Sequence, residues 1–144
     1  MRTVGVVPLH RWPLATYETW SLDRFVAYAP VDHIAAVGPD SLAIESSSLD
    51  FISLPRRWFA SRDTYSQLLL TTAFYELFSG FDALLIFQPD ALWLSSGRSA
   101  LPATHDYIGA PWLRTSGVPS SGFGRVGNGG FSLRSRRLLA AGMD

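Results

Sequence analysis

The segment that most constrains the fold of this chain is the uninterrupted apolar run from Ala83 to Phe87, which follows Asp82. A strand that is buried on both faces has this pattern, and such strands occupy the interior of parallel sheets that carry helices on both sides. A half-exposed antiparallel strand would instead alternate polar and apolar residues. The run therefore predicts an interior strand of an α/β domain.

The chain before this strand alternates between strand and helix patterns, as an α/β domain requires. Apolar, β-branched residues 4–9 predict the first strand, and helical spacing predicts a helix over residues 16–28. A second, longer helix is predicted over residues 63–78 and ends at Ser79 and Gly80. Shorter apolar pieces, bounded by turn residues, predict strands or turns at residues 32–37, 42–44 and 51–54.

The composition excludes several classes of function. The 144 residues include 12 basic and 12 acidic side chains, so no global charge attracts nucleic acid or an anionic membrane, and local groups must hold any anionic ligand. The absence of cysteine excludes disulfides and thiolate chemistry. No apolar segment approaches the length of a membrane span, and the N-terminus does not have the pattern of a signal peptide. We expect a soluble, cytoplasmic protein.

The first candidate site is the polar segment Gln88-Pro89-Asp90, directly after the interior strand. Ligands of open parallel sheets bind beyond the carboxyl ends of the strands. A carboxylate at that position can bind a divalent cation, which offsets the charge of a diphosphate. The alternative interpretation is an ordinary turn in which the Asp90 side chain bonds nearby backbone.

The second candidate site is the glycine-rich segment from Gly122 to Arg134. Its first glycines match the dinucleotide-binding pattern, but that pattern needs a preceding strand and a following helix, and neither is indicated here. Glycines such as Gly129 and Gly130 let a ligand approach the backbone closely, because they lack Cβ. The alternatives are a flexible surface loop and, for Arg134, a place on a solvated helix beside Arg136 and Arg137.

The segment between these two candidates contributes a carboxylate and two aromatic rings, from Asp106, Tyr107 and Trp112. Aromatic faces in a loop near a sheet edge can stack on a base or a sugar, although core packing is the alternative for each ring. The three histidines are scattered without ligand spacing, so they do not indicate a metal site.

Residues 85–90, 106–112 and 126–134 resemble one family in their order and spacing, the glycosyltransferase-like domain of unknown function 5672 (DUF5672). The stretch Gly-Gly-Phe-Ser-Leu-Arg at residues 129–134 is similar to a stretch in several sugar transferases of the GT-A type. The resemblance implies an α/β fold of the GT-A-like kind, with a mainly parallel sheet flanked by helices, in a single domain over residues 1–144.

The resemblance also implies roles for individual residues. It places Asp90 at a metal-binding position for Mn or Mg, and Gln88 where a first aspartate is common, so a single carboxylate would serve the cation. The residues implied in binding the sugar donor are Gln88, Asp90, Gly129, Gly130 and Arg134. The candidates for contacts with the acceptor or for the base are Asp106, Tyr107, Trp112 and Asn128.

The function implied is an enzyme that transfers a sugar from a nucleotide-diphosphate sugar to the hydroxyl of a glycan or another acceptor. One alternative is a non-catalytic module, a truncated or decayed transferase that still binds a nucleotide or a glycan. A second alternative is a nucleotidyltransferase of related architecture. Because the sequence ends at Asp144 just as a helix begins, we expect the domain to be incomplete at its C-terminus, and the catalytic base stays unassigned.

Overall fold

The computed structural model of the chain describes residues 1–44, 49–94, 104–111 and 126–138, with the backbone alone at 126–128. Six strands form one sheet together with helices and a short 3₁₀ helix at Arg56–Phe59. The strands are β1 (Thr3–Pro8), β2 (His33–Pro39), β3 (Asp50–Leu54), β4 (Ala83–Phe87), β5 (Tyr107–Pro111) and β6 (Val126–Ser135). The helices are α1 (Thr16–Tyr28), α2 (Arg62–Leu68) and α3 (Thr72–Glu76).

The sheet has the strand order β3-β2-β1-β4-β6-β5. The first four strands in this order are parallel, whereas β6 is antiparallel to β4 and β5 is antiparallel to β6. The predicted α/β class is confirmed. The mainly parallel sheet of the prediction is more accurately a mixed sheet, because β6 runs against its neighbours on both sides.

The apolar run that predicted an interior strand does form one. Strand β4 lies between β1 and β6, and none of its five residues is more than 2% exposed. Leu84 and Ile86 face one hydrophobic cluster, while Ala83, Leu85 and Phe87 face the other. The run is uninterrupted because both faces of the strand are covered.

The helices lie on opposite faces of the sheet. Helix α1 packs Leu22 and Phe25 into the cluster around Phe87, with the Phe25 and Phe87 rings stacked at 4.1 Å. Helices α2 and α3 cover the other face through the buried rings of Tyr65, Phe74 and Tyr75 among others. None of the helices in the described ranges is long and apolar enough to cross a lipid bilayer.

The long helix predicted over residues 63–78 is wrong, because two short helices occupy that stretch. Helix α2 ends at Leu68, and Thr71 then acts as the N-cap of α3. The Thr71 hydroxyl donates to the Leu68 carbonyl at 2.8 Å and accepts from the Phe74 amide at 3.3 Å. A threonine side chain thus replaces the backbone partners that a continuous helix would supply.

Two further segments settle points that the sequence pattern left open. Residues 42–44 form no strand; the Leu42 amide instead bonds the Pro39 carbonyl at 2.9 Å in a turn that follows β2. Tyr107, which the sequence pattern places in a loop, lies in strand β5. Gly127, Gly129 and Gly130, for which a surface loop is one alternative, lie in strand β6. Single-sequence patterns do not indicate these strands because residues that weaken strand propensity interrupt both: three glycines in β6, and Gly109 and Pro111 in β5.

Candidate functional site

The connectivity of the sheet defines the place where a ligand is most easily bound. From β1 the chain passes through α1 on one face to β2, and later returns through α2 and α3 on the other face to β4, on the opposite side of β1. Connections that leave a strand in opposite directions open a crevice at the carboxyl ends of the parallel strands. In this chain the crevice lies beyond β1 and β4.

A cleft is present at this crevice, with a volume of about 180 Å³. We call it the carboxyl-edge cleft. It is bounded by the ends of β1 and β4 and by the first turn of α1. Its lining residues are Pro8, Leu9, His10, Arg11, Leu14, Glu18 and Pro89.

The charged groups of the cleft form an ion pair at the N-terminus of α1. Arg11 Nη2 donates to Glu18 Oε2 at 2.8 Å, and the Ala15 amide donates to the same oxygen at 2.9 Å. These hydrogen bonds hold the pKa of Glu18 below its usual value, the bond from Arg11 contributing most. Arg11 is 61% exposed, so its other donors remain accessible to an anion.

His10 contributes an imidazole that contacts two aromatic rings and is otherwise exposed. It lies edge-on to Phe59 at 5.6 Å and to Tyr65 at 5.8 Å between ring centroids. Partial burial lowers the pKa of His10, because the charged form loses hydration there. A neutral imidazole at physiological pH can accept a proton or a hydrogen bond in the cleft.

Gln88 and Asp90 follow β4 at the same edge of the sheet. The Ala91 amide bonds the Gln88 carbonyl at 2.9 Å, so Pro89 and Asp90 occupy a turn, and the Asp90 side chain is exposed. Ser21 of α1 donates to the Ala91 carbonyl and holds the far end of this turn. Pro89 and Asp90 therefore form a turn, as one of the two interpretations of the sequence required. The Asp90 carboxylate is exposed to solvent next to Pro89, which lines the cleft.

Strand β6 brings the glycine-rich segment to the same edge. Phe131 pairs with Phe87, whereas against β5 the pairing passes from Ser132 opposite Gly109 to Asn128 opposite Ala110. Residues 129–131 therefore form a bulge, which we call the glycine bulge. Bulges re-aim a strand and are frequent beside active sites.

The two segments that the sequence selected as one site meet directly. The Gln88 amide donates to the Gly130 carbonyl at 2.9 Å, which joins the turn after β4 to the glycine bulge. This contact depends on the antiparallel pairing of β4 with β6, because that pairing puts the amino end of β6 beside the carboxyl end of β4. The structure thus brings the turn of Gln88 and Asp90 next to the glycine bulge, while the implied role of these residues in binding the donor stays a prediction.

Arg134 lies in β6 and is only 7% exposed, so the alternative of a solvated helix is wrong. Its guanidinium donates to the Ser132 hydroxyl, the Leu69 carbonyl and the Tyr75 hydroxyl, each at 3.1 Å. It also lies 5.6 Å from the centre of the Tyr107 ring, within the range of cation–π attraction. The implied contact of Arg134 with the donor stays a prediction.

Other implied site residues lie elsewhere. Asp106 is at the opposite, amino-terminal edge of the sheet, where it accepts from the Ser135 hydroxyl and pairs with Arg137 at 3.1 Å. The hydrogen bond from Ser135 is the main reason why the pKa of Asp106 is below its usual value. Trp112 lies outside the described residues, and for Asn128 the structure gives the backbone pairing with Ala110 alone.

The residues at the carboxyl edge could coordinate a divalent cation only together with a bound ligand that supplies additional oxygen atoms. Within the described ranges no three carboxylate or imidazole side chains converge as a metal site. Mg²⁺ and similar ions need only one or two carboxylates when phosphate groups complete their coordination. Asp90 meets that requirement, whereas Glu18 is already engaged by Arg11 and the Ala15 amide.

A larger cavity, of about 340 Å³, lies on the α1 face of β4, β5 and β6. Its lining includes Leu85, Trp93, Ile108, Phe131 and Leu133, and no charged side chain among the described residues. A diphosphate would lose its hydration there without gaining a charged partner. We therefore assign the candidate site to the smaller carboxyl-edge cleft.

Sequence reasoning missed three residues of that cleft, His10, Arg11 and Glu18. The sequence does carry a signal for two of them, because His10 and Arg11 come one residue after the end of β1, and ligands bind beyond the carboxyl ends of all parallel strands of a sheet. The strand order, which makes β1 the neighbour of β4, is what brings these residues to the cleft.

Comparison with known proteins yields one match. Residues 48–143, two thirds of the chain, match the model of a family described as "Protein of unknown function (DUF5672)". No curated protein and no solved structure matches the chain. The matched range contains β4, β5 and β6, and therefore both segments that meet at the glycine bulge.

Proposed function

The chain belongs to the DUF5672 family, whose description assigns no function, and we propose that it is a glycosyltransferase-like protein with a GT-A-like fold. In this proposal it transfers a sugar from a nucleotide-diphosphate sugar to an acceptor hydroxyl. The carboxyl-edge cleft takes the nucleotide diphosphate; Asp90 is next to the lining residue Pro89, and the glycine bulge is bonded to Gln88 of the same turn. The single observation that carries the proposal is the hydrogen bond between the Gln88 amide and the Gly130 carbonyl, which joins both implied donor-binding segments at the carboxyl edge of the parallel strands.

The chemistry of this transfer makes limited demands on the protein. The acceptor hydroxyl oxygen forms a bond to the anomeric carbon, the bond from that carbon to the diphosphate oxygen breaks, and the hydroxyl proton passes to a base. Rate enhancement in such a displacement comes mainly from positioning both substrates and from stabilising charge on the leaving diphosphate. Arg11 offers accessible cationic donors at the cleft for this second task.

A divalent cation fits the proposal as a companion of the nucleotide. Asp90 would hold it, and the cation would offset part of the diphosphate charge. Because a single exposed carboxylate binds such ions weakly, we expect affinity for Mn²⁺ alone to be low and affinity for the nucleotide to rise when Mn²⁺ is added.

Calorimetric titration with uridine diphosphate, with and without Mn²⁺, tests the proposal. We expect Asp90→Asn to weaken binding in the presence of Mn²⁺ by about tenfold, since one charge-assisted contact contributes roughly 1.5 kcal/mol. Asp23→Asn is the matched control, because Asp23 is an exposed carboxylate in α1 and does not line the cleft. Equal affinity in the parent and in Asp90→Asn would remove Asp90 from the site.

Turnover separates the enzyme from the two other interpretations. Release of nucleoside diphosphate from a nucleotide sugar, in the presence of an acceptor glycan, supports a transferase. Binding without turnover favours the non-catalytic module, and release of pyrophosphate from a nucleoside triphosphate favours a nucleotidyltransferase. Absence of binding to any nucleotide would contradict both enzymes, and absence of binding to glycans as well would contradict the non-catalytic module.

A further inference from the structure

A buried polar network joins the glycine bulge to the junction between α2 and α3. Its centre is Arg134, whose Nε donates to Ser132 Oγ and whose Nη1 donates to both the Leu69 carbonyl and the Tyr75 hydroxyl. No carboxylate of the described residues forms an ion pair with this guanidinium. Neutral oxygens and the Tyr107 ring therefore hold the buried charge, and they also fix the position of the side chain.

The Leu69 carbonyl is available to this network because the helix is interrupted. In a continuous helix it would accept from the backbone amide four residues later, but α2 ends at Leu68 and α3 begins at Thr72. The Tyr75 hydroxyl donates to this carbonyl at 3.0 Å and accepts from Arg134 Nη1. Tyr75 is 2% exposed, so no solvent replaces these bonds.

The remaining guanidinium nitrogen of Arg134 explains the glycine at position 129. A Cβ on Gly129 would lie 2.8 Å from Arg134 Nη2, closer than non-bonded atoms approach each other. A free arginine end would simply move away. Here Nε and Nη1 are already bonded, so movement of Nη2 breaks contacts with Ser132, Leu69 or Tyr75.

From this geometry we propose that Tyr75 and Arg134 are positioning residues that fix the glycine bulge against the turn after β4. Gly129 is glycine because the bulge must accommodate the guanidinium of Arg134, and the Gly130 carbonyl transmits the position of the bulge to the Gln88 amide. The effect on ligand binding rests on the proposed function. The structural effect does not, so the two are tested separately.

A double-mutant cycle tests the relation between Gly129 and Arg134. Gly129→Ala is expected to lower the midpoint of thermal unfolding in the parent, and to lower it much less in an Arg134→Met background. Arg134→Met keeps an unbranched stem and leaves the Leu69 carbonyl bonded to Tyr75 and Ser132 bonded to the Gly129 carbonyl, so the variant is expected to fold. Equal losses in the two backgrounds would overturn the proposal for Gly129.

Hydrogen exchange tests the role of Tyr75 without a ligand. Tyr75→Phe removes only the hydroxyl, and we expect exchange of the Gln88 amide to accelerate several-fold more than exchange of the Leu85 amide within β4. A uniform acceleration at both amides would indicate general destabilisation and would overturn the positioning role. Tyr28→Phe in α1 is the matched control and should leave both amides unchanged, because Tyr28 is partly exposed and lies outside the network.

Titration with uridine diphosphate adds the functional measurement. Tyr75→Phe should raise the Kd about 3- to 10-fold if the bulge borders the ligand, since small displacements of positioning groups weaken contacts that depend on geometry. An unchanged Kd, with the parent binding, would overturn the link between the network and the site. If the parent does not bind the nucleotide, the proposed function fails, while the cycle and the exchange data still decide the positioning role.

Discussion

At the scale of single residues, the cleft depends on how charged groups are paired at its border. Glu18 closes the N-terminus of α1 by accepting from the Ala15 amide, and the same carboxylate oxygen holds Arg11. Only 14% of the Glu18 side chain is exposed, whereas Arg11 is largely exposed. The carboxylate thus caps helix α1 and also restricts the Arg11 side chain.

The first prediction at this scale concerns pH. The folded pKa of Glu18 is below the unfolded value, so its contribution to stability is present above the unfolded pKa and is lost as pH falls through the folded pKa. We expect Glu18→Gln to lower the melting temperature by about 2–4 °C at pH 7, a shift of the size that one capping interaction gives in a domain of this length. The difference should shrink as pH falls below the ordinary glutamate value of 4.5 and through the lowered pKa of folded Glu18, as measured by thermal unfolding at several pH values. A difference that stays constant from pH 7 to pH 3 would show that the charge of Glu18 is not responsible.

At the scale of elements, the junction between α2 and α3 is held by a short side chain in place of helical backbone bonds. Thr71 both donates to the end of α2 and caps α3, and Arg134 and Tyr75 use the carbonyl that the junction exposes. Periodicity alone predicted one helix, because the apolar residues on both sides of the junction keep nearly the same spacing. A side-chain cap of this kind competes with the helix without disturbing the hydrophobic pattern.

The prediction at this scale is that Thr71→Ala lowers the free energy of unfolding by about 1 kcal/mol, the usual effect of removing an N-cap hydroxyl. Thr72→Ala is the matched control, since Thr72 is an exposed residue in the first turn of α3 and alanine has the higher helix propensity there. Chemical denaturation of both variants measures the difference. Equal effects would show that the cap contributes nothing specific.

At the scale of the whole molecule, strand order decides which side chains share an edge. The carboxyl ends of β1 and β4 and the amino end of β6 meet at one edge, whereas Asp106, Ser135 and Arg137 meet at the other. The two edges are separated by the length of a strand. We therefore expect that a ligand bound in the carboxyl-edge cleft does not reach Asp106.

This separation leads to a prediction about Asp106. We expect Asp106→Asn to leave the affinity for uridine diphosphate unchanged within about twofold, a limit equivalent to roughly 0.4 kcal/mol. Bound nucleotide should slow hydrogen exchange at residues 9–14 and 88–91 and leave Ser135 unaffected. Slower exchange at Ser135, or a large loss of affinity in Asp106→Asn, would place the ligand at the amino-terminal edge instead.

The sequence by itself determined the elements whose patterns depend on burial. The apolar run of β4 and the spacing of α1 follow from transfer of apolar side chains out of water, which acts on each segment according to its own pattern. The choice of Gln88, Asp90 and the glycines as one site came from motif resemblance together with the rule on carboxyl ends. Periodicity could not indicate that these segments touch.

Only the tertiary structure decided the antiparallel place of β6, the interruption between α2 and α3, and the burial of Arg134. Each depends on residues that are far apart in sequence. Phe131 pairs with Phe87 in the sheet, and the Arg134 guanidinium donates a hydrogen bond to the Leu69 carbonyl. The same holds for His10 and Arg11, which join the cleft because β4 lies beside β1. Hydrogen bonds and close approaches between distant segments depend on which strands pair, and local sequence carries no record of that pairing.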